Sequence, residues 1–195
     1  MTSLEQEIRD ILAENGTRFR SDCESHSELD FTLLDEGGGT LVTFDAKEKQ
    51  RRIVLDHWPD TGIPEPYLFI LDDLAARKVL AHAPNSGLIV RDNLHSRYFF
   101  ISVVDLFLMP RTRANRPIHR SAPAIKGKWL IDLRNGVECA RLFDAFVAMK
   151  RYLEDHEAIF AKTLACYGDY HGETVHIGGE ERRPEHWEKD VSSTR

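Results

Sequence analysis

Two strand-forming runs joined by a glycine-rich turn constrain this chain more than any other feature. Leu29–Asp35 and Thr40–Glu48 read as strands, and Glu36-Gly37-Gly38-Gly39 separates them. Four residues is a common hairpin loop length. With Glu36–Gly39 as the loop, Asp35 faces Thr40, and the pairing runs back through Phe31 opposite Phe44 to Asp30 opposite Asp45. Side chains alternate along a strand, so Phe31, Leu33, Val42 and Phe44 share a core face. Asp30, Thr32, Thr43, Asp45 and Lys47 share the other. Cross-strand Cβ atoms lie about 4.5–5.5 Å apart, and two carboxylates at that separation repel unless a cation sits between them. The glycines themselves read as a flexible turn: they lack the GxGxxG or P-loop lysine pattern, and a strand rather than a helix follows.

Paired carboxylates with a nearby lysine suit phosphodiester hydrolysis. Mg²⁺ prefers oxygen ligands and is held by one or two carboxylates, with waters and substrate phosphate completing an octahedron. Lys47, two residues beyond Asp45, points the same way along the strand. It is placed to orient a water and to stabilise charge developing on a phosphate. The acid-x-lysine tripeptide alone carries little weight, since about one is expected by chance in a chain with these counts. Its context carries the weight: it ends an apolar strand, its partner acid begins the neighbouring strand, and a helix precedes both.

The remaining elements follow from periodicity and punctuation. Ser3–Asn15 reads as a helix, with Thr2 or Ser3 as N-cap, an apolar stripe of Leu4, Ile8, Ile11 and Leu12, and Gly16 as terminator. A strand is expected near Thr17–Cys23, a loop at 56–66, and a helix over Leu71–His82 with Leu71, Leu74, Ala75 and Leu80 on one side. Gly87–Val90, Tyr98–Leu108 and Lys128–Leu133 read as strands. Glu138–Lys162 reads as a long helix with Phe143, Phe146, Val147 and Leu153 at helical spacing; Leu142, Ala145, Met149 and Tyr152 suggest burial on a second face, hinting at an interface. This order implies an α/β protein with a mixed central sheet flanked by helices.

With 195 residues, 42% hydrophobic and 30% charged, the chain has the composition of a globular protein large enough for its own core. Its longest apolar runs are far shorter than a membrane span, and its acidic, amphipathic start is unlike a secretory signal. Three scattered cysteines, Cys23, Cys139 and Cys166, show no zinc spacing and are expected to be reduced thiols of a cytoplasmic protein. The net charge of −6 argues against nonspecific coating of nucleic acid, yet the charge is segregated. Residues 106–131 contain no acid and carry Arg111, Arg113, Arg116, Arg120, Lys126 and Lys128, punctuated by Pro110, Pro117 and Pro123. Such a segment is either a solvated loop or a phosphate-contacting patch.

On Asp30 and the run Asp45-Ala46-Lys47, after a helix and within a strand meander, the chain resembles the PD-(D/E)xK, or restriction-endonuclease-like, nuclease superfamily. Leu29 stands where a proline is usual, and Asp45 where glutamate is more frequent. The resemblance covers residues 1 to about 110. It implies an αβββαβ core, extended here by a C-terminal strand and long helix. One nuclease-like domain over 1–167 is expected, comprising the core, a basic loop at 110–128 and the strand and helix at 128–162, followed by a polar tail at 168–195. It implies a Mg²⁺- or Mn²⁺-dependent endonuclease, with DNA the substrate most relatives act on. Asp30, Asp45 and the Ala46 carbonyl are then metal ligands and Lys47 the water-orienting group. Glu5 on the first helix assists, with Glu7 as second choice, and Arg111, Arg113, Arg116 and Arg120 grip nucleic acid. Two-strand cutting needs two sites, so a homodimer is one expectation. Some members keep the fold without activity, so a catalytically inactive binding or regulatory module is the alternative.

Three further features have structural readings beside functional ones. His171 and His176 lack a third metal ligand. Asp56-His57-Trp58-Pro59-Asp60 reads as a surface loop with a buried tryptophan, or as a base-stacking element. Arg91-Asp92-Asn93, after a buried strand, reads as a structural ion pair, or as a group reaching toward the active edge.

Overall fold

A computed structural model describes residues 2–23, 28–117 and 125–161. Helix α1 spans Leu4–Glu14. The Ser3 hydroxyl caps it by accepting the Gln6 amide at 3.2 Å, and Gly16 takes the left-handed conformation (φ 64°) just past its end. Strands β1 (Phe19–Ser21), β2 (Phe31–Leu34) and β3 (Thr40–Lys49) form an antiparallel meander. Phe31 faces Phe44, Thr32 faces Thr43 and Leu33 faces Val42, as expected. The register then shifts by a bulge, so Leu34 rather than Asp35 faces Thr40. Asp35 instead closes the turn, its carboxylate accepting the Gly39 amide at 2.7 Å, while Gly38 adopts φ 84°.

After β3 the chain runs through a loop with a 3₁₀ turn at Leu55–His57, then β4 (Leu68–Asp72), α2 (Asp73–Ala81) and β5 (Ser86–Asp92). Strand β5 is parallel to β3, which requires the crossover that α2 supplies. Next come β6 (Arg97–Ser102), α3 (Val103–Leu108), β7 (Arg111–Pro117), β8 (Ile125–Asp132), β9 (Val137–Cys139) and α4 (Leu142–Ala161). Six strands form a mixed sheet in the order β1-β2-β3-β5-β6-β9; a second sheet has the order β4-β8-β7. The protein is therefore mixed α/β, and the order helix, three-strand meander, helix, strand is present with β4 inserted before the second helix. One core joins the two sheets: Phe31, Phe44, Leu88 and Phe99 from the first are continuous with Phe69, Leu71, Trp129 and Ile131 from the second. Among the described residues no helix is long and apolar enough to cross a membrane.

Four expectations are corrected. Leu71 and Asp72 belong to β4, held by pairing with Trp129 and Lys128, so α2 begins at Asp73. Its buried face is Ala75, Ala76 and Val79, and Leu74 points outward. Val103–Leu108 is helical rather than extended, because Ser102 and Asp105 form a capping box: each side chain accepts the other's amide at 3.1 Å. The expected basic loop is largely a β-hairpin, with Arg111 opposite Ile131 at one end and Pro117 opposite Ile125 at the other. Finally, α4 starts at Leu142, since Val137–Cys139 pairs with β6. Its buried stripe is Leu142, Ala145, Met149 and Tyr152; Phe146 and Leu153 are half-buried, and Phe143 and Val147 remain exposed. Arg120, Cys166, His171, His176 and the tail at 168–195 lie outside the described residues.

Phe44 is fully buried and its ring stacks on Phe31 at 5.3 Å, which ties β3 to β2 beneath the site. Phe44→Ala is expected to cost about 3–5 kcal/mol in urea unfolding. Val147→Ala on the outer face of α4 should change stability by no more than about 0.5 kcal/mol.

Candidate active site

Strand β2 begins at Phe31, opposite Phe44, so β3 runs on from Asp45 to Lys49 without a β2 partner on that edge. Asp30, one residue before β2, fills the gap: its Oδ2 accepts the Ala46 amide at 2.9 Å, as a strand carbonyl would. Asp30 is itself fixed through its main-chain carbonyl, which accepts the Asp22 amide at 2.9 Å and the Cys23 thiol at 3.4 Å. The Ala46 carbonyl accepts Lys47 Nζ at 3.1 Å. The same ammonium lies 3.1 Å from Asp30 Oδ2 and 2.8 Å from Asp45 Oδ2. Three oxygens from three residues thus converge on one cation. Asp30, Asp45 and Lys47, singled out by spacing, and Ala46, implied by the resemblance, stand together.

Two carboxylates sharing one ammonium leave a net negative charge in a buried place. Burial pushes the Asp45 carboxyl up and Lys47 pulls it down, but Asp30 pushes it up again, so it settles at about 6. Burial alone lowers the Lys47 ammonium, yet Asp45 and Asp30 outweigh it and hold its pKa above the ordinary value. Lys47 is therefore charged at neutral pH. Its side chain remains 32% exposed, whereas those of Asp30 and Asp45 are 10% and 3% exposed.

A cavity of about 410 Å³ opens beside Lys47, lined by Ser3, Leu4, Glu5, Ala46, Lys47, Glu48 and Gln50. Glu5 thus faces the same space as Lys47. Glu7 is committed elsewhere: it accepts Arg91 Nη1 at 2.7 Å and the Tyr98 hydroxyl at 2.8 Å. Arg91 also donates to Glu48 and to the Thr2 carbonyl, so it fastens α1 to β3 from inside the fold. Asp92 likewise takes His95 and Arg97, and the structural reading of this segment holds. Local spacing gave no sign of Glu48 as Arg91's partner, 43 positions away, or of Cys23 beneath Asp30.

The donors around Lys47 are two carboxylates and a main-chain carbonyl, all hard oxygens of the kind Mg²⁺ takes. Among the described residues no three His, Cys, Asp or Glu side chains form a group able to hold a metal. Glu5 is thus a lining residue and not a third member of the Asp30–Asp45 cluster. In the basic hairpin, the Arg111 guanidinium lies 4.4 Å from the Trp129 ring and donates to the Phe107 carbonyl at 2.8 Å. Arg113 lies 4.9 Å from the same ring, and Arg116 stacks 3.7 Å from the half-buried Trp58.

No protein-family model and no curated protein matches the sequence. Among solved structures, D212, a nuclease from a fusselovirus, is similar at a TM-score of 0.44 and 9% identity, over 78% of this chain and 89% of that one.

The raised Asp45 pKa has a definite sign for stability. Below about pH 4 the carboxyl is protonated in both folded and unfolded chains. Between 3.8 and about 6 only the folded state keeps the proton; above that, the fold carries a buried anion. Stability from this group therefore falls as pH rises through that window, by up to about 3 kcal/mol. In metal-free buffer, Asp45→Asn is expected to raise urea stability at pH 7.5 by roughly 1–3 kcal/mol and to flatten the pH 4–6 dependence. A loss of stability at pH 7.5 would contradict this.

Proposed function

We propose that this chain is a divalent-metal-dependent endonuclease hydrolysing phosphodiester bonds, with DNA as substrate, built on a PD-(D/E)xK-type site. The observation that carries the reading is the convergence of the Asp30 and Asp45 carboxylates and the Ala46 carbonyl on a single cation. Those three groups would hold Mg²⁺ or Mn²⁺, with Glu5, which lines the cavity beside Lys47, assisting. Bound there, the ion would supply Lewis-acid polarisation of a phosphoryl oxygen and a more acidic water.

The chain's own groups do the rest. Lys47, charged and partly exposed, donates towards the substrate phosphate, orients the attacking water and stabilises the charge that develops on phosphorus-bound oxygen. The buried amide of Ala46 keeps Asp30 Oδ2 aimed at the cluster. Asp45 is anionic above about pH 6, so protons compete with the cation below that pH and cleavage should decline there. The nucleic-acid backbone would be met by the basic segment that carries Arg111, Arg113, Arg116 and Arg120.

A second reading, an inactive binding module on the same fold, draws support from Lys47 already satisfying both carboxylates. One pair of measurements separates them. Saturating Mg²⁺ or Mn²⁺ should raise the melting temperature by roughly 5–10 °C at a hundredfold excess over Kd, and Asp45→Ala should abolish the rise. Incubation with plasmid should give cleavage that Lys47→Ala reduces about a hundredfold or more. Absence of both the shift and the cleavage would sink the nuclease reading; a shift without cleavage of plasmid, single-stranded DNA or RNA would favour the inactive module.

A further inference from the structure

The pairing of β7 with β8 divides the basic segment between two faces of the second sheet. Arg111 and Arg113 lie on the face of Trp129 and Ile131, which is turned to the core. The opposite face begins as a small apolar cluster, where Ile63, Leu68 and Leu130 are covered by Ile53 and Trp58. Beyond that cluster the same face is cationic. Arg116 stands directly opposite Lys126, Lys128 follows two residues along, and Asp72 is opposite Lys128. Asp72 pairs with both lysines. Residues 106–131 themselves contain no acid, so three cations meet one carboxylate across these strands.

Like charges directly opposite in a sheet destabilise it. Here the repulsion is only partly relieved, by the shared Asp72 and by Arg116 lying on the Trp58 ring at 3.7 Å. Stacking also fixes the guanidinium plane in advance, which lowers the entropy lost when it binds an anion. The Lys126 side chain is 43% exposed. The loop over the apolar half of this face leaves β3 at Lys49, two residues past Lys47. It is fastened there by Glu65, which pairs with Lys49 at 3.3 Å and accepts the Ile53 amide at 2.9 Å. The cationic face is thus tied to the strand that carries the candidate site.

We propose that the outer face of the β7–β8 hairpin, with Arg116, Lys126 and Lys128 around Asp72 and Trp58 behind Arg116, docks the phosphate backbone of duplex DNA. This rests on the nuclease reading and reassigns the grip from four arginines to one arginine and two lysines. Arg111 holds the hairpin to α3 through carbonyl contacts and is not part of this surface.

The test is fluorescence anisotropy of a labelled duplex in EDTA, titrated at several salt concentrations. For the wild-type chain the association constant should fall steeply with salt. Arg116→Ala and Lys126→Ala should each reduce the slope of log K against log salt by about one and weaken binding roughly tenfold at 0.1 M salt. Lys150→Ala, the same charge change on α4, should leave slope and affinity unaltered. Far-ultraviolet circular dichroism checks that the variants fold, and Lys126→Gln provides a gentler substitution. Hydrolysis of bis(p-nitrophenyl) phosphate with Mn²⁺ separates this proposal from the one beneath it, because so small a substrate does not need the surface. Retained small-substrate turnover with weakened duplex binding in the Arg116 and Lys126 variants supports the docking surface. Wild-type binding in both variants overturns it even if the protein cuts DNA. Salt-dependent binding lost in the variants, with no hydrolysis of either substrate, keeps the surface and removes the nuclease.

Discussion

Two buried carboxylates repel across a low-dielectric gap unless a cation lies between them, and Lys47 is that cation here. Its position depends on where β2 begins. Because the strand starts at Phe31, Asp30 is released from the ladder while still close enough to accept the Ala46 amide. The cluster is thus made by the end of a strand rather than by its interior. It is held from below by the Phe31–Phe44 stack and from the side by Arg91, which joins Glu7 of α1 to Glu48 of β3.

The arrangement is electrostatically unfinished. Burial first, and Asp30 beside it, push Asp45 towards neutrality against the pull of Lys47, while the two carboxylates hold Lys47 in its charged form. A structural ion pair balanced for stability would show the opposite behaviour at the acid, a lowered pKa, as Asp72 does between its two lysines despite the cost of its partial burial. A carboxyl raised by burial beside a second carboxylate is the kind of perturbed group that functional sites gather.

The hairpin was legible in the sequence because its information is local: alternation, a glycine turn and fixed spacing. That was enough to place Phe31 opposite Phe44 and to gather Asp30, Asp45 and Lys47. The bulge at Leu33/Leu34 was not legible, since it depends on Asp35 choosing the Gly39 amide over strand pairing. Strand β4 resembles the start of a helix in sequence because its partner, β8, lies some sixty residues on; nothing near Leu71 announces Trp129. The β7–β8 pairing is hidden for the same reason, since prolines and like charges punctuate a segment that only its cross-strand partners hold extended. By contrast, the start of α3 is legible locally: Ser102 and Asp105 stand at capping-box spacing, beside a β-branched run that favours a strand. On α4 both apolar stripes were visible, but only packing decides that Leu142, Ala145, Met149 and Tyr152 face inward.

The central claim is that the oxygens now gathered on Lys47 Nζ form a site for a divalent ion. A crystal grown with Mn²⁺ and measured at its absorption edge addresses this directly. The account requires an anomalous peak in contact with Asp30, Asp45 and the Ala46 carbonyl, with the Lys47 ammonium displaced towards the cavity beside Glu5. An ammonium still bridging both aspartates at saturating Mn²⁺, with no peak between them, would contradict it.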